Sequence, residues 1–174
     1  MSLQNPLREY GILQERTDYR AHVCFQDKCV YVYRTEAGVK AVLSGRFPKK
    51  PAGQPGVEGY TAEGYLVPPS GISGCQRIPI PDEWLQRMRC RREESTTVKG
   101  EKAVQIVQAM LRAGRFPVEF RPKAVTDLKM QVDGLDITVG CKLHIQVKCD
   151  YYGGESGTGN LYLQVAEANP LKKH

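Results

Sequence analysis

Apolar positions recur along the chain with two different periods. Between Ala21 and Ser44, three short runs rich in β-branched and aromatic residues, AHVCF, VYVYR and VKAVL, are separated by Gln26-Asp27-Lys28 and Glu36-Ala37-Gly38. This composition predicts a β-hairpin or meander turning at those two tripeptides. Arg46 to Gly56 is basic and dense in Pro and Gly, which predicts a loop. Tyr60 to Ile80 holds further Pro and Gly and predicts irregular chain or short edge strands. Pro81 and Asp82 open a short helix near Asp82 to Arg91, with Trp84, Leu85 and Met88 on one side.

The second half changes period. From Val98 to Ala113 the apolar residues Ala103, Ile106, Val107, Met110 and Leu111 recur at helical spacing. Ser95, Thr96 and Thr97 supply a start, and Gly114 a stop. Glu101, Gln105, Gln108 and Arg112 occupy the polar side. Short strands are predicted at Phe116 to Phe120, Val132 to Val139 and Leu143 to Cys149, the last two joined by a turn at Gly140-Cys141-Lys142. A flexible Gly-rich loop, Gly153 to Gly159, precedes another strand-like run from Leu161 to Ala166. The order helix, three strands, loop and strand implies an α/β fold with a mixed sheet. Residues 1-94 are expected to form an N-terminal β-rich extension or lobe with the basic loop, and 95-174 the core.

Length and charge narrow the class. The 174 residues suffice for one domain of ordinary size. No apolar run approaches the length of a membrane span, so no membrane partner is expected. The opening MSLQNPLREY lacks a basic segment followed by an apolar one, so a cytoplasmic protein of a bacterial, archaeal or phage-infected cell is expected, not an exported one. The six cysteines contain no Cys-x-x-Cys pair and are expected to be reduced and partly buried. A zinc site built from His22, Cys24, Cys29 and Cys75 is conceivable but lacks knuckle spacing. The net charge of +6 and pI of about 9.0 suit a polyanionic partner.

Three polar residues interrupt apolar strands in the C-terminal half. Asp136 lies within Gly134-Leu135-Asp136-Ile137, and Gln146 and Lys148 within Ile145-Gln146-Val147-Lys148. Residues two apart on a strand share a face, so Gln146 and Lys148 point together while Ile145 and Val147 point to the core. Antiparallel pairing brings Asp136 towards them, and a carboxylate inside a sheet needs a partner. A structural ion pair between Asp136 and Lys148 answers that need; so does a reaction centre. Phosphodiester hydrolysis needs a hard cation on oxygen ligands and a positioned cation such as Lys. His144 alternates to the same face, either lining this centre or satisfied as an ordinary strand residue. His22 and Ser44 have no triad partners, and GGESGTGN lacks the ending of a phosphate-binding loop.

These residues resemble the PD-(D/E)xK nuclease superfamily, which includes restriction endonucleases and Holliday junction resolvases, over roughly Thr97 to Pro170. The family carries an acid on its first core helix, an Asp at a strand end and an acid-x-Lys tripeptide on the next strand. Glu101 in KGEKAV, Asp136 and Gln146-Val147-Lys148 stand at those places. Asp150 after the lysine strand and Thr158-Gly159-Asn160 ahead of the next strand resemble a subset of these nucleases, in which Gln164 falls where an acid is common.

The resemblance implies a restriction-endonuclease-like core and a metal-dependent nuclease, an endonuclease acting on duplex or branched DNA. Mg²⁺, or Mn²⁺ in its place, would be held by Glu101, Asp136, Gln146 and the backbone carbonyl of Val147. Lys148 would position or activate the attacking water. A homodimer is implied by the habit of relatives. Lys49, Lys50, Arg87, Arg91 and Asn160 are the candidate nucleic-acid contacts, with Arg89 and Arg92 beside them; a solvated helix side is the plainer account of the arginines. Gln146 departs from the family acid and is a weaker ligand for a hard cation. Glu101, Asp133 or Glu167 then has charge to supply, or the chain binds nucleic acid without cutting it.

Overall fold

The computed structural model describes residues 18–53, 61–116, 137–139 and 143–168. The predicted hairpin is present as β1 (Tyr19–Cys24) and β2 (Cys29–Arg34), antiparallel from Tyr19↔Arg34 to Cys24↔Cys29. The turn falls on the expected Gln26-Asp27-Lys28, with Lys28 in the left-handed region at φ 51°.

VKAVL is not a third strand, and Glu36-Ala37-Gly38 is not a turn. Both belong to helix α1 (Thr35–Leu43). A short apolar run is ambiguous between strand and helix until it packs. Here Ala41 and Val42 are buried one way while Leu43 remains 51% exposed. Gly38 lets the helix close on β2, because a Cβ at that position would stand 2.7 Å from the Tyr33 ring.

The expected basic loop also contains a strand, β3 (Lys49–Gly53), followed by β4 (Thr61–Val67). Pro51 is accommodated because β3 lies at a sheet edge, where a missing N–H disrupts no ladder. Instead of a short edge piece, β4 is a seven-residue central strand. A 3-10 turn at Pro69–Gly71 leads to β5 (Gln76–Pro79), an edge strand as expected. Helix α2 (Asp82–Arg87) begins where Pro81 and Asp82 predicted.

The C-terminal elements follow their periodicity. Helix α3 spans Thr96–Arg112, and the Ser95 hydroxyl caps it by accepting the Val98 N–H at 3.3 Å. Gly114 leaves the helix at φ 65°. Then come β6 (Ile137–Val139), β7 (Leu143–Cys149) and β8 (Leu161–Ala168). The turn expected at Gly140-Cys141-Lys142, the strand expected after Phe116, and Asp133 and Asp136 lie outside the described residues.

Two sheets result. The larger runs β5-β2-β1-β7-β6 and is mixed, because β1 is parallel to β7 and every other pairing is antiparallel. The smaller runs β3-β4-β8. The sheets do not divide at residue 94: β1 lies beside β7 in one, and β4 beside β8 in the other.

The larger sheet is covered on both faces. On one, α3 buries Ala103, Ile106, Val107 and Met110 against Ala21, Val23, Val32, Ile137, Ile145 and Val147. Each large apolar side chain so buried contributes about 1.5–3 kcal/mol. On the other face, Tyr31, Tyr33, Cys24 and Cys29 pack with Ala41 and Val42 of α1 and with Leu161 and Leu163 of β8. The fold is α/β with a mixed sheet and, among the described residues, three α-helices. No helix among them is long and apolar enough to cross a membrane.

Candidate functional site

Strand alternation puts Gln146 and Lys148 on the β8 side of the larger sheet, opposite α3. Both are half-buried. The parallel register sets Arg20 beside Gln146 and His22 beside Lys148. Across β2, Tyr33 stands opposite Arg20 and Tyr31 opposite His22. A polar layer therefore lies between the two sheets, with Arg20 at 6% exposure and His22 at 1%. Such groups persist in a core only when partnered.

His22 is held from both sides. Its Nε2 is 2.8 Å from the Tyr33 hydroxyl, and the two rings stack at 5.6 Å. Its Nδ1 is 3.6 Å from Asp150 Oδ2, an electrostatic contact longer than a hydrogen bond. Burial pushes the imidazole below its usual 6.5, against the pull of Asp150, and the Arg20 and Lys148 charges push the same way. His22 is therefore the neutral imidazole in the folded chain.

The unfolded chain protonates His22 as pH drops below 6.5, the folded chain only at lower pH. Stability is thus complete above that value and falls on acidification. Between about pH 7.5 and about pH 5.5 the urea midpoint is expected to drop, the underlying unfolding free energy falling by at most about 1.4 kcal/mol per pH unit below 6.5. His22→Gln should flatten that slope. An equal slope in the variant would mean that His22 is not the titrating group.

Asp150 anchors the loop that follows β7. Its N–H donates to the Val23 carbonyl at 3.0 Å, and its Oδ2 accepts the Tyr162 N–H at 2.9 Å. Asp27 anchors the loop's other side. Its buried carboxylate accepts from the Tyr31 hydroxyl, from Arg77 at 3.4 Å, from the Cys29 thiol at 3.4 Å and from the Glu155 N–H at 3.1 Å. Burial alone would raise its pKa. Hydrogen bonds from Ser156, Tyr31, Cys29 and Arg77 outweigh burial and hold it well below the usual carboxylate range.

The Gly-rich loop is consequently packed. Gly154 is buried at φ 88°, and a Cβ there would meet Asp27 Oδ2 at 2.6 Å. The glycines fit the loop to two carboxylates. Asn160 closes the loop, its side-chain N–H donating to the Thr158 carbonyl at 3.1 Å.

Glu101 is exposed on α3, the helix that packs on the face of the sheet opposite Gln146 and Lys148. The first turns of α3 do lie at the end of β7, where the Lys99 ammonium stands 4.7 Å over the Tyr151 ring. Val147 packs against α3, and its backbone pairs with Ala21. His144 is half-buried, and its N–H donates to Asp18 at 2.8 Å.

Lys49 and Lys50 are exposed on edge strand β3, with Lys49 paired to Glu63 at 2.7 Å. Arg87 and Arg91 are exposed at and after the end of α2. The side chain of Glu167 lies outside the described residues.

Among the described residues, no group of three His, Cys, Asp or Glu side chains is placed to hold a metal ion, and the imagined His22–Cys24–Cys29–Cys75 zinc site is not formed. Cys24, Cys29, Cys75, Cys90 and Cys149 are free thiols. Burial pushes Cys29, Cys75 and Cys149 up to about 12, which removes them as nucleophiles near neutral pH.

Sequence reasoning missed Arg20, His22, Tyr33 and Tyr31 as companions of Lys148. The available signal was the alternation in YRAHVC, which sets Arg and His two apart within an otherwise apolar strand. Compared with known proteins, the chain matches no family model, no curated protein and no solved structure.

Proposed function

We propose that the chain is a metal-dependent nuclease with a restriction-endonuclease-like core, acting on DNA at the Gln146–Lys148 face. The observation that supports it best is the placing of these two side chains. They stand half-buried on one face of an interior strand, in register with Arg20 and the neutral His22. A lysine held there is a fixed cation for charge that develops on a phosphate, and it needs no reorganisation as the reaction proceeds. The exposed cations Arg87, Arg91, Lys49 and Lys50 suit a polyanionic substrate.

The described residues do not by themselves form a Mg²⁺ site. Gln146 offers one neutral oxygen, and Glu101 projects from the helix on the other face. The reading therefore requires Asp136, the residue before Ile137, to supply carboxylate oxygens on the Gln146 side. When bound, such an ion acidifies water and polarises a phosphate. Incubation of the full chain with linear, supercoiled and branched DNA, with Mg²⁺, Mn²⁺ or a chelator, tests it. Metal-dependent cleavage that disappears in Lys148→Ala and in Asp136→Ala supports the reading, and retained cleavage in both variants removes it.

The sparse donor set favours a second reading, a nucleic-acid-binding protein with a degenerate nuclease core. It predicts salt-sensitive binding, no cleavage with any metal and no response to Gln146→Glu.

A further inference from the structure

The end of β7 carries an aromatic and basic cluster that the cleavage chemistry does not use. Two residues past Cys149, the Tyr151 ring meets Phe25 at 6.1 Å and Tyr152 edge-on at 4.7 Å. Tyr152 is 45% exposed, which is unusual for so large a ring on a packed loop. Its backbone is fixed: the Tyr152 carbonyl accepts the Thr158 N–H at 2.8 Å, and the Tyr151 carbonyl accepts the Gln26 N–H at 3.3 Å. Gly157 makes that closure possible, since a Cβ there would stand 2.1 Å from the Tyr152 carbonyl oxygen. The ring is thus presented to solvent from a rigid base, backed edge-on by a second tyrosine.

One cation links the pair to a basic segment. The Lys99 ammonium lies over Tyr151 at 4.7 Å and also donates to the Arg92 carbonyl at 2.6 Å, so one cation joins the aromatic pair to the arginine-rich segment. Lys102 holds the same segment at the Arg89 carbonyl, at 2.6 Å, and pairs with Glu94. Glu94 in turn accepts the Arg91 N–H at 3.1 Å. With the backbone of this segment pinned by two lysines, the side chains of Arg89, Arg91 and Arg92 remain exposed.

An exposed ring beside phosphate-binding cations is the arrangement that stacks an unpaired base while gripping its backbone. Bases inside a duplex are already stacked on one another and offer no free face. A base in a single strand, a flap or a junction does.

We infer that Tyr152, backed by Tyr151 and joined through Lys99 to the segment that carries Arg89, Arg91 and Arg92, is a stacking platform for an unpaired nucleotide. This rests on the proposed nucleic-acid function and names the substrate class: DNA with a single-stranded segment in preference to plain duplex. Tyr152 then sets specificity four residues downstream of Lys148, without taking part in the chemistry.

The test is binding of the full chain, in a chelator to prevent cleavage, to a labelled duplex and to the same duplex with a short unpaired tail. A fluorescent purine analogue in the tail reports stacking. The tailed substrate is expected to bind more tightly, with quenching of the analogue. Tyr152→Ala should weaken its binding roughly tenfold and abolish the quenching, leaving duplex binding unchanged, whereas Tyr152→Trp should preserve both. Equal affinity for the two substrates, or equal losses on both in Tyr152→Ala, overturns the platform and leaves the nuclease reading standing. No binding of either substrate at low salt overturns both.

Discussion

Asp27→Ala is expected to lower the stability of the chain by about 3 kcal/mol or more, the largest stability effect of any single polar substitution considered. The reason lies in what the carboxylate holds. Tyr31, Cys29, Arg77 and the Glu155 N–H all converge on it, and of these only Arg77 reaches appreciably into water. Removing the acceptor leaves the buried Tyr31 hydroxyl with no acceptor for its proton, leaves the Glu155 N–H with only its longer bond to Tyr31 at 3.3 Å, and opens a gap beneath Gly154. Asp27→Asn keeps one acceptor and the shape, so its loss should be smaller.

The same carboxylate sets an acid limb. Its folded pKa lies well below the ordinary 3.8. As pH falls past that value the unfolded chain takes up the proton first, so the contribution is intact above it and is lost on further acidification. Urea midpoints across the acid range should fall steeply in the parent chain and less steeply in Asp27→Asn. Because the loop also positions Asp150 and Tyr152, Asp27→Ala should blunt any preference for unpaired DNA. An unchanged midpoint in Asp27→Ala would show that the carboxylate is not the anchor.

Local pattern carried α3, β7 and β8 faithfully, because a long amphipathic helix and an alternating strand declare their period within their own residues; of α2 it carried the start, while the helix ends at Arg87 and not near Arg91. Gln146 and Lys148 sharing a face was legible for the same reason. What the pattern did not carry is non-local. The pairing of Arg20 with Gln146 joins residues far apart in the chain, and nothing in YRAHVC names β7 as its parallel partner. The N-terminal segment therefore looked like an extension when it supplies the strand between β2 and β7.

Helix α1 was missed because VKAVL is too short for its period to decide, and packing of Ala41 and Val42 does decide. The exposure of Glu101 was legible from its place on α3. Which face of the sheet α3 covers is settled by Ile145 and Val147, by tertiary contact and not by any spacing around Glu101. The Gly-rich loop looked flexible because glycine signals freedom until a neighbour requires it. Here Asp27 and Asp150 are those neighbours.

On the proposed chemistry, Lys148→Ala is expected to lower metal-dependent cleavage about 100-fold or more with little change in DNA affinity. A cation that acts on charge developing during the reaction contributes to turnover, whereas the exposed arginines contribute to binding. Lys148→Arg should restore only part of the rate, since a planar fork does not replace a compact ammonium between two strands. Retained secondary structure by circular dichroism is needed for the comparison, because Lys148 lies beside His22 in the interior register.

Gln146→Glu separates the two readings. It adds a carboxylate next to Arg20, which favours the charged form, and gives a hard cation a stronger ligand. The nuclease reading predicts saturation at a lower Mg²⁺ concentration in this variant, and loss of the gain when Lys148→Ala is added. A degenerate core predicts no cleavage from either variant and salt-sensitive binding that does not respond to Gln146→Glu. Cleavage that survives Lys148→Ala at the parent rate would move the reaction away from this face altogether.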